Sequence, residues 1–140
     1  MANQQGTNRS IAKRLQPGAD FKAALAEIIE QEGIKAGVLL SVVGSLTNAS
    51  LRTPSGAAKV LAEPLEVVSG TGTVGSAGIH VHLSVSDDRG ATFGGHLLSG
   101  CIVRTTLELV IQDLSSQMIF DRVMDAATGY RELVVRDCDT

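Results

Sequence analysis

Aromatic side chains are scarce in this chain: one tyrosine, three phenylalanines and no tryptophan, 3% of 140 residues. The core must therefore be built from Val, Leu, Ile and Ala, and few rings remain on which unpaired bases could stack, which argues against single-strand nucleic-acid binding. An excess of positive charge is also missing. Twelve Lys and Arg against fifteen Asp and Glu give a formal net charge of −3 and an isoelectric point near 5.5, the wrong sign for a free-standing domain that gathers phosphates. The nearest approach to a basic cluster is Arg9, Lys13 and Arg14, expected to be solvated charges near a mobile end. No apolar stretch approaches the length of a membrane span, and the opening MANQQGTNRS lacks the pattern of a signal peptide, so no membrane partner and a cytoplasmic location are expected. Two cysteines, Cys101 and Cys138, form no CxxC pair, which excludes a zinc knuckle or dithiol motif and leaves free thiols as the expectation. There is no P-loop, no GxGxxG after a strand and no diagnostic Ser-His-Asp order.

What is present fits one folded domain. Hydrophobic residues make up 44% and charged residues 19% of the chain, enough apolar content for a single sizeable core. A disordered leader is expected over 1–9, the domain over 10–135 and a tail over 136–140. The segment 11–15 is short and mixed, and it stops at the turn signal Gln16-Pro-Gly-Ala19. Asp20 offers an N-cap oxygen. Phe21, Ala24, Leu25, Ile28 and Ile29 follow at helical spacing and Gly33 stands where the helix would end, predicting one amphipathic helix over about 20–33. The period then changes to that of strands, predicted over 36–43, 49–52, 57–61, 65–73, 79–86, 91–95, 102–112, 118–122 and 130–134. Short sequential strands with small turns predict a mostly antiparallel sheet. With the helix packed on one face, the expected class is α+β.

All three histidines fall in one predicted hairpin. In Ile79-His-Val-His-Leu-Ser-Val-Ser86 the odd positions are aliphatic and the even ones polar, so His80 and His82 share the face opposite the core. If Phe93 on the returning strand joins Val85 on the core side, the simplest register sets His96 directly across from His82. Opposed Cβ atoms are then about 4.5–5.5 Å apart, and three imidazoles could converge on one ion. The competing reading is three partly exposed histidines hydrogen-bonded to Ser84 and Thr92. A bulge at Gly94-Gly95 would break the parity on which His96 depends. Asp87 and Asp88 read as turn formers, and Cys101 as a buried inert thiol. Should the site be catalytic, Glu66 and Glu108 are the carboxylates available as general base.

Leu15-Gln-Pro-Gly-Ala-Asp20, Glu32-Gly33-Ile34, Gly44-Ser-Leu46, Leu65-Glu-Val-Val-Ser69, His80-Val-His82, Gly94-Gly-His-Leu97, Gly100-Cys101 and Thr106-Leu-Glu108 resemble, in order, the plant and prokaryote conserved (PPC) domain. The resemblance runs from about Leu15 to Leu133, and HxH plus GGHL is its most specific part. It implies a compact domain that assembles as a homotrimer and holds a divalent transition metal, zinc foremost, on His80, His82 and His96. Plant relatives join the domain to AT-hooks that contact DNA. The Arg-Gly-Arg-Pro core of an AT-hook is absent here, so the chain looks like a stand-alone prokaryotic member. The resulting expectation is a trimeric metal-binding module with a regulatory, DNA-associated or protein-interaction role. The alternative is a metal-dependent enzyme acting on a small molecule.

Overall fold

A computed structural model describes residues 7–138; most of the expected leader and the end of the expected tail lie outside the described residues. Nine strands and one helix follow in the order β1 (Arg9–Leu15), α1 (Phe21–Glu32), β2 (Gly37–Arg52), β3 (Ala58–Leu61), β4 (Leu65–Gly75), β5 (Gly78–Ser86), β6 (Thr92–Leu97), β7 (Ile102–Asp113), β8 (Met118–Met124) and β9 (Arg131–Asp137). The α+β expectation is corrected: the structure is 61% strand and 9% helix, mostly β with one short helix. Two segments account for much of the difference. Arg9–Leu15 is a full strand against β7; its buried Ile11 and Leu15 are four apart, a spacing shared by two strand repeats and one helical turn. Residues 44–48, expected to separate two strands, instead continue β2, and register shifts against β7 between Leu39 and Asn48 bend it without ending it.

That bend organises the molecule. The first part of β2 lies between β4 and β7, while its last residues pair with β3 and also with β6. The order β1-β7-β2-β4-β5-β6 therefore returns to β2 and the sheet closes on itself. Every pairing is antiparallel. Leu39, Leu46, Leu51, Val81, Leu83, Leu97 and Leu107 fill the interior. Helix α1 adds Phe21, Leu25, Ile28 and Ile29 to the same core. Its predicted ends are the observed ones: Asp20 Oδ1 accepts from the Ala23 N–H at 3.0 Å, and Gly33 adopts the left-handed conformation. Asp20 Oδ2 also accepts from the Gly100 N–H at 2.7 Å, tying the helix start to the loop before β7. Strands β8 and β9 form a separate two-stranded sheet. Among the described residues no helix is long and apolar enough to cross a membrane.

The basic residues of β1 are not simply solvated. Arg9 Nε donates to Asp113 Oδ2 at 2.9 Å and Arg9 pairs with Glu32 at 3.2 Å, while Lys13 reaches Glu32 at 3.1 Å. Asp113 is buried and also accepts from the Ser115 N–H and hydroxyl. Ser115 Oγ in turn accepts from the Lys35 and Ala36 N–H groups, so one network joins β1, β7 and the start of β2. Burial alone would raise the Asp113 carboxyl; the bonds from Ser115 and Arg9 outweigh it and hold the group below its ordinary 3.8. A depressed carboxyl contributes stability that is complete above the unfolded value and is lost as pH falls through the folded one. Asp113→Asn is expected to lower the urea midpoint at neutral pH and to flatten its decline below about pH 4. Parallel acid limbs for parent and variant would refute this.

Candidate metal centre

On β5 the alternation is realised: Val81, Leu83 and Val85 are buried, and His80 and His82 project to the other side. The β5–β6 register runs unbroken from Ser86 opposite Thr92 to His82 opposite His96. The connecting turn is closed by Asp87 Oδ1, which accepts from the Arg89 and Ala91 N–H groups at 2.9 and 3.0 Å. Gly94-Gly95 makes no bulge against β5. The pair marks a close approach instead: a Cβ on Gly95 would stand 2.6 Å from the Arg52 carbonyl oxygen. This proximity lets β6 pair with the end of β2, placing Arg52 opposite His96 on its second edge. A transverse row thus runs Thr71, His82, His96, Arg52 across four strands, with Thr73 and His80 one step along.

The three imidazoles offer ligand atoms that all lie within 4.8 Å of one another. Their ring centroids are 5.1, 5.3 and 5.8 Å apart. Two nitrogens bound to one ion at about 2.1 Å can be no more than ~4.2 Å apart, so small rotations of the exposed His80 and His82 rings bring the set within range. Among the described residues, His96 Nδ1 is the buried side-chain nitrogen or oxygen with no hydrogen-bond partner. The competing reading is met in part: His80 and His82 are exposed and His96 half-buried, but among the described residues no imidazole bonds to Ser84 or Thr92, and Thr92 Oγ1 donates to the Gly90 carbonyl. Burial, then Arg52 and the other two histidines, push His96 down to about 4. Burial, then His82 and Arg122, also lower His80. Both are therefore neutral at pH 7, the form that ligates metals. An all-imidazole set of three suits zinc or another borderline divalent ion and leaves a coordination position open.

Beside the histidines lies a cleft of about 350 Å³ whose lining includes Arg52, His80, His96, Arg122, Tyr130 and Glu132. Neither Glu66 nor Glu108 lines it: Glu66 pairs with Ser45 and Ser86, and Glu108 lies opposite Arg14 and Val43. Cys101 is buried, its thiol hydrogen-bonded to the Ser50 backbone and raised by desolvation, and it is no part of the cluster. Sequence reasoning missed Arg52, Arg122, Tyr130, Arg131 and Glu132. Arg52 arrives through the sheet closure and the others from the β8–β9 hairpin, held by Arg122 Nη2 donating to Thr73 Oγ1 at 2.9 Å. The last residues of β2 and the hairpin carry no local pattern that reports this meeting.

Comparisons with known proteins agree with the fold and bear on the site. The bifunctional protein GlmU of a Synechococcus strain is 44% identical over 132 residues, covering 94% of this chain and 21% of its own length. The chain thus spans about a fifth of the length of the curated relatives it matches. A hypothetical protein from Salmonella cholerae-suis is 40% identical with a TM-score of 0.90, covering 94% of this chain and 95% of its own. A metal-containing protein from Archaeoglobus fulgidus is 27% identical with a TM-score of 0.77, covering 90% and 93%. Solved structures from Bacteroides thetaiotaomicron and Ralstonia eutropha, at 21% and 19% identity, share the fold. The model of the Plants and Prokaryotes Conserved (PCC) domain matches residues 2–115, more than half of the sequence, and the chain belongs to that family.

Proposed function

We propose that the protein is a cytoplasmic homotrimeric module that holds one divalent transition metal per chain, zinc foremost, through His80, His82 and His96, and works in regulation or partner binding. The observation that carries this is the His96 Nδ1 atom, buried and unpaired within a cluster of three imidazoles. A buried polar atom without a partner costs about 1–3 kcal/mol, and a metal would remove that penalty. The description of the A. fulgidus neighbour as metal-containing supports the same reading. When bound, such an ion supplies Lewis acidity and an acidified water.

Support for self-association comes from the β8–β9 hairpin, which exposes Val123, Met124, Leu133, Val134 and Val135. Two-stranded hairpins are marginal on their own and exposed apolar groups of this kind favour a protein contact. A direct role on duplex DNA draws no support from the net charge of −3. The enzymatic alternative now turns on Glu132, the carboxylate that does line the cleft.

Purified protein is expected to carry one equivalent of transition metal per chain, lost in His82→Ala, at a solution mass of three times 14.6 kDa. Metal-free protein that takes up no zinc, or a His82→Ala variant with unaltered content, would end the metal reading; a monomeric mass would end the trimer.

A further inference from the structure

The acidic chain concentrates positive charge at one place. Arg52, Arg122 and Arg131 all line the cleft that contains His80 and His96, against a single carboxylate, Glu132. Arg122 and Arg131 are partly engaged: Arg122 Nη2 donates to Thr73 Oγ1 at 2.9 Å, and Arg131 Nη2 donates to the Arg122 carbonyl at 2.7 Å. Glu132 accepts from the Thr128 hydroxyl at 3.0 Å. Arg52 differs from these. Among the described residues its guanidinium has no hydrogen bond or ion pair, although it stands directly opposite His96 in the β2–β6 register. A guanidinium beside the three histidines, with no hydrogen bond or ion pair of its own among the described residues, is an arrangement suited to an anion that arrives from solution. Low-dielectric walls supplied by Ala77 and Ile79 strengthen its field.

We propose that this cleft binds a small molecule carrying a carboxylate or phosphate group, its oxyanion taken by Arg52 and the rest directed toward His80 and His96. This rests on the reading of the histidines as a metal site, because the ion would give the second end of the ligand its partner. Planar guanidinium donors match both oxyanions in a bidentate fashion. The cleft volume of about 350 Å³ sets the ligand at the small end of ordinary binding sites.

Tyr130 makes the proposal directly measurable. It is the only tyrosine of a chain without tryptophan, and it lines this cleft, so all tyrosine emission comes from a residue at the site. Zinc-loaded and metal-stripped protein would be titrated with malonate and with inorganic phosphate, following Tyr130 emission, with zinc content measured in every sample. A saturable change is expected with at least one anion, weakened roughly 10- to 100-fold in Arg52→Gln and partly restored in Arg52→Lys, with zinc content unchanged in both variants. Response to malonate alone identifies the carboxylate as the recognised group, and response to phosphate alone identifies the phosphate. No saturable response to either, or full-strength binding by Arg52→Gln, overturns the anion site even if zinc is bound. Arg52-dependent binding by protein that takes up no zinc would uphold the anion site while removing the metal reading, so the two failures are distinct.

Discussion

His96→Leu is expected to lower zinc affinity more than ~100-fold and, in the same variant, to raise the stability of the metal-free protein by about 1 kcal/mol. The first figure exceeds what loss of a partner one step removed from a metal ligand produces. The second follows from the buried Nδ1 that has no partner: an apolar side chain of similar volume removes an unsatisfied atom without opening a cavity. The two effects have opposite signs, and this separates the metal reading from a structural one. A histidine that served the fold would lose stability on replacement in any buffer. Urea unfolding with chelator and with excess zinc measures both. For the parent, zinc should raise the midpoint through preferential binding to the folded state, and for His96→Leu the zinc-dependent increment should vanish. If the increment survives, His96 is not a ligand.

The sequence made part of this legible and the reason is periodicity. The strict alternation from Ile79 to Ser86 assigns faces residue by residue, because a one-residue slip would expose the whole apolar set. The direct opposition of His82 and His96 follows once Gly94-Gly95 leaves the ladder intact. Alternation says nothing about which strand lies on the far edge of β6. That neighbour is the end of β2, brought there by a bend and a closure between strands distant in sequence. Arg52 was accordingly invisible as a site residue, although its position on a strand was read correctly. The hairpin residues Arg122, Arg131 and Glu132 escaped for the same reason: the strands were apparent but their position over His80 was not.

The error in class has a different origin. Helix α1 announces itself through a cap, a stripe and a terminal glycine within fourteen residues, and strong local signals of that kind are easily given too much weight. Strand β1 and the continuation of β2 through residues 44–48 depend instead on what they pair with, β7 for the first and β4 and β7 for the second. Global charge leaves local patches open. A net charge of −3 weighs against nucleic acid as a partner, yet it is compatible with three arginines around one cleft, since what a small ligand meets is the local field.

Gly72→Ala should cause the largest loss of stability among substitutions near the site, about 3 kcal/mol, and weaken zinc binding about 10-fold although Gly72 has no side chain to offer a metal. Gly72 lies opposite Val81 on β5. A Cβ there would stand 1.9 Å from the His80 carbonyl oxygen and 2.7 Å from the Val81 Cα. Both obstacles are backbone and cannot rotate away, so β4 and β5 must separate. The flanking pairs are Thr71 with His82 and Thr73 with His80, which means that the separation moves the two histidines relative to His96. Gly94→Ala supplies the comparison from the neighbouring ladder. Its Cβ would meet the Leu83 carbonyl oxygen and Ser84 Oγ at 3.3 Å, contacts relieved by shifts of a few tenths of an ångström, and its cost should stay within about 1 kcal/mol. Urea midpoints of the metal-free proteins and zinc titrations of both variants test the pair. Equal behaviour of the two would mean that the close approach of β4 to β5 does not hold the histidines in place.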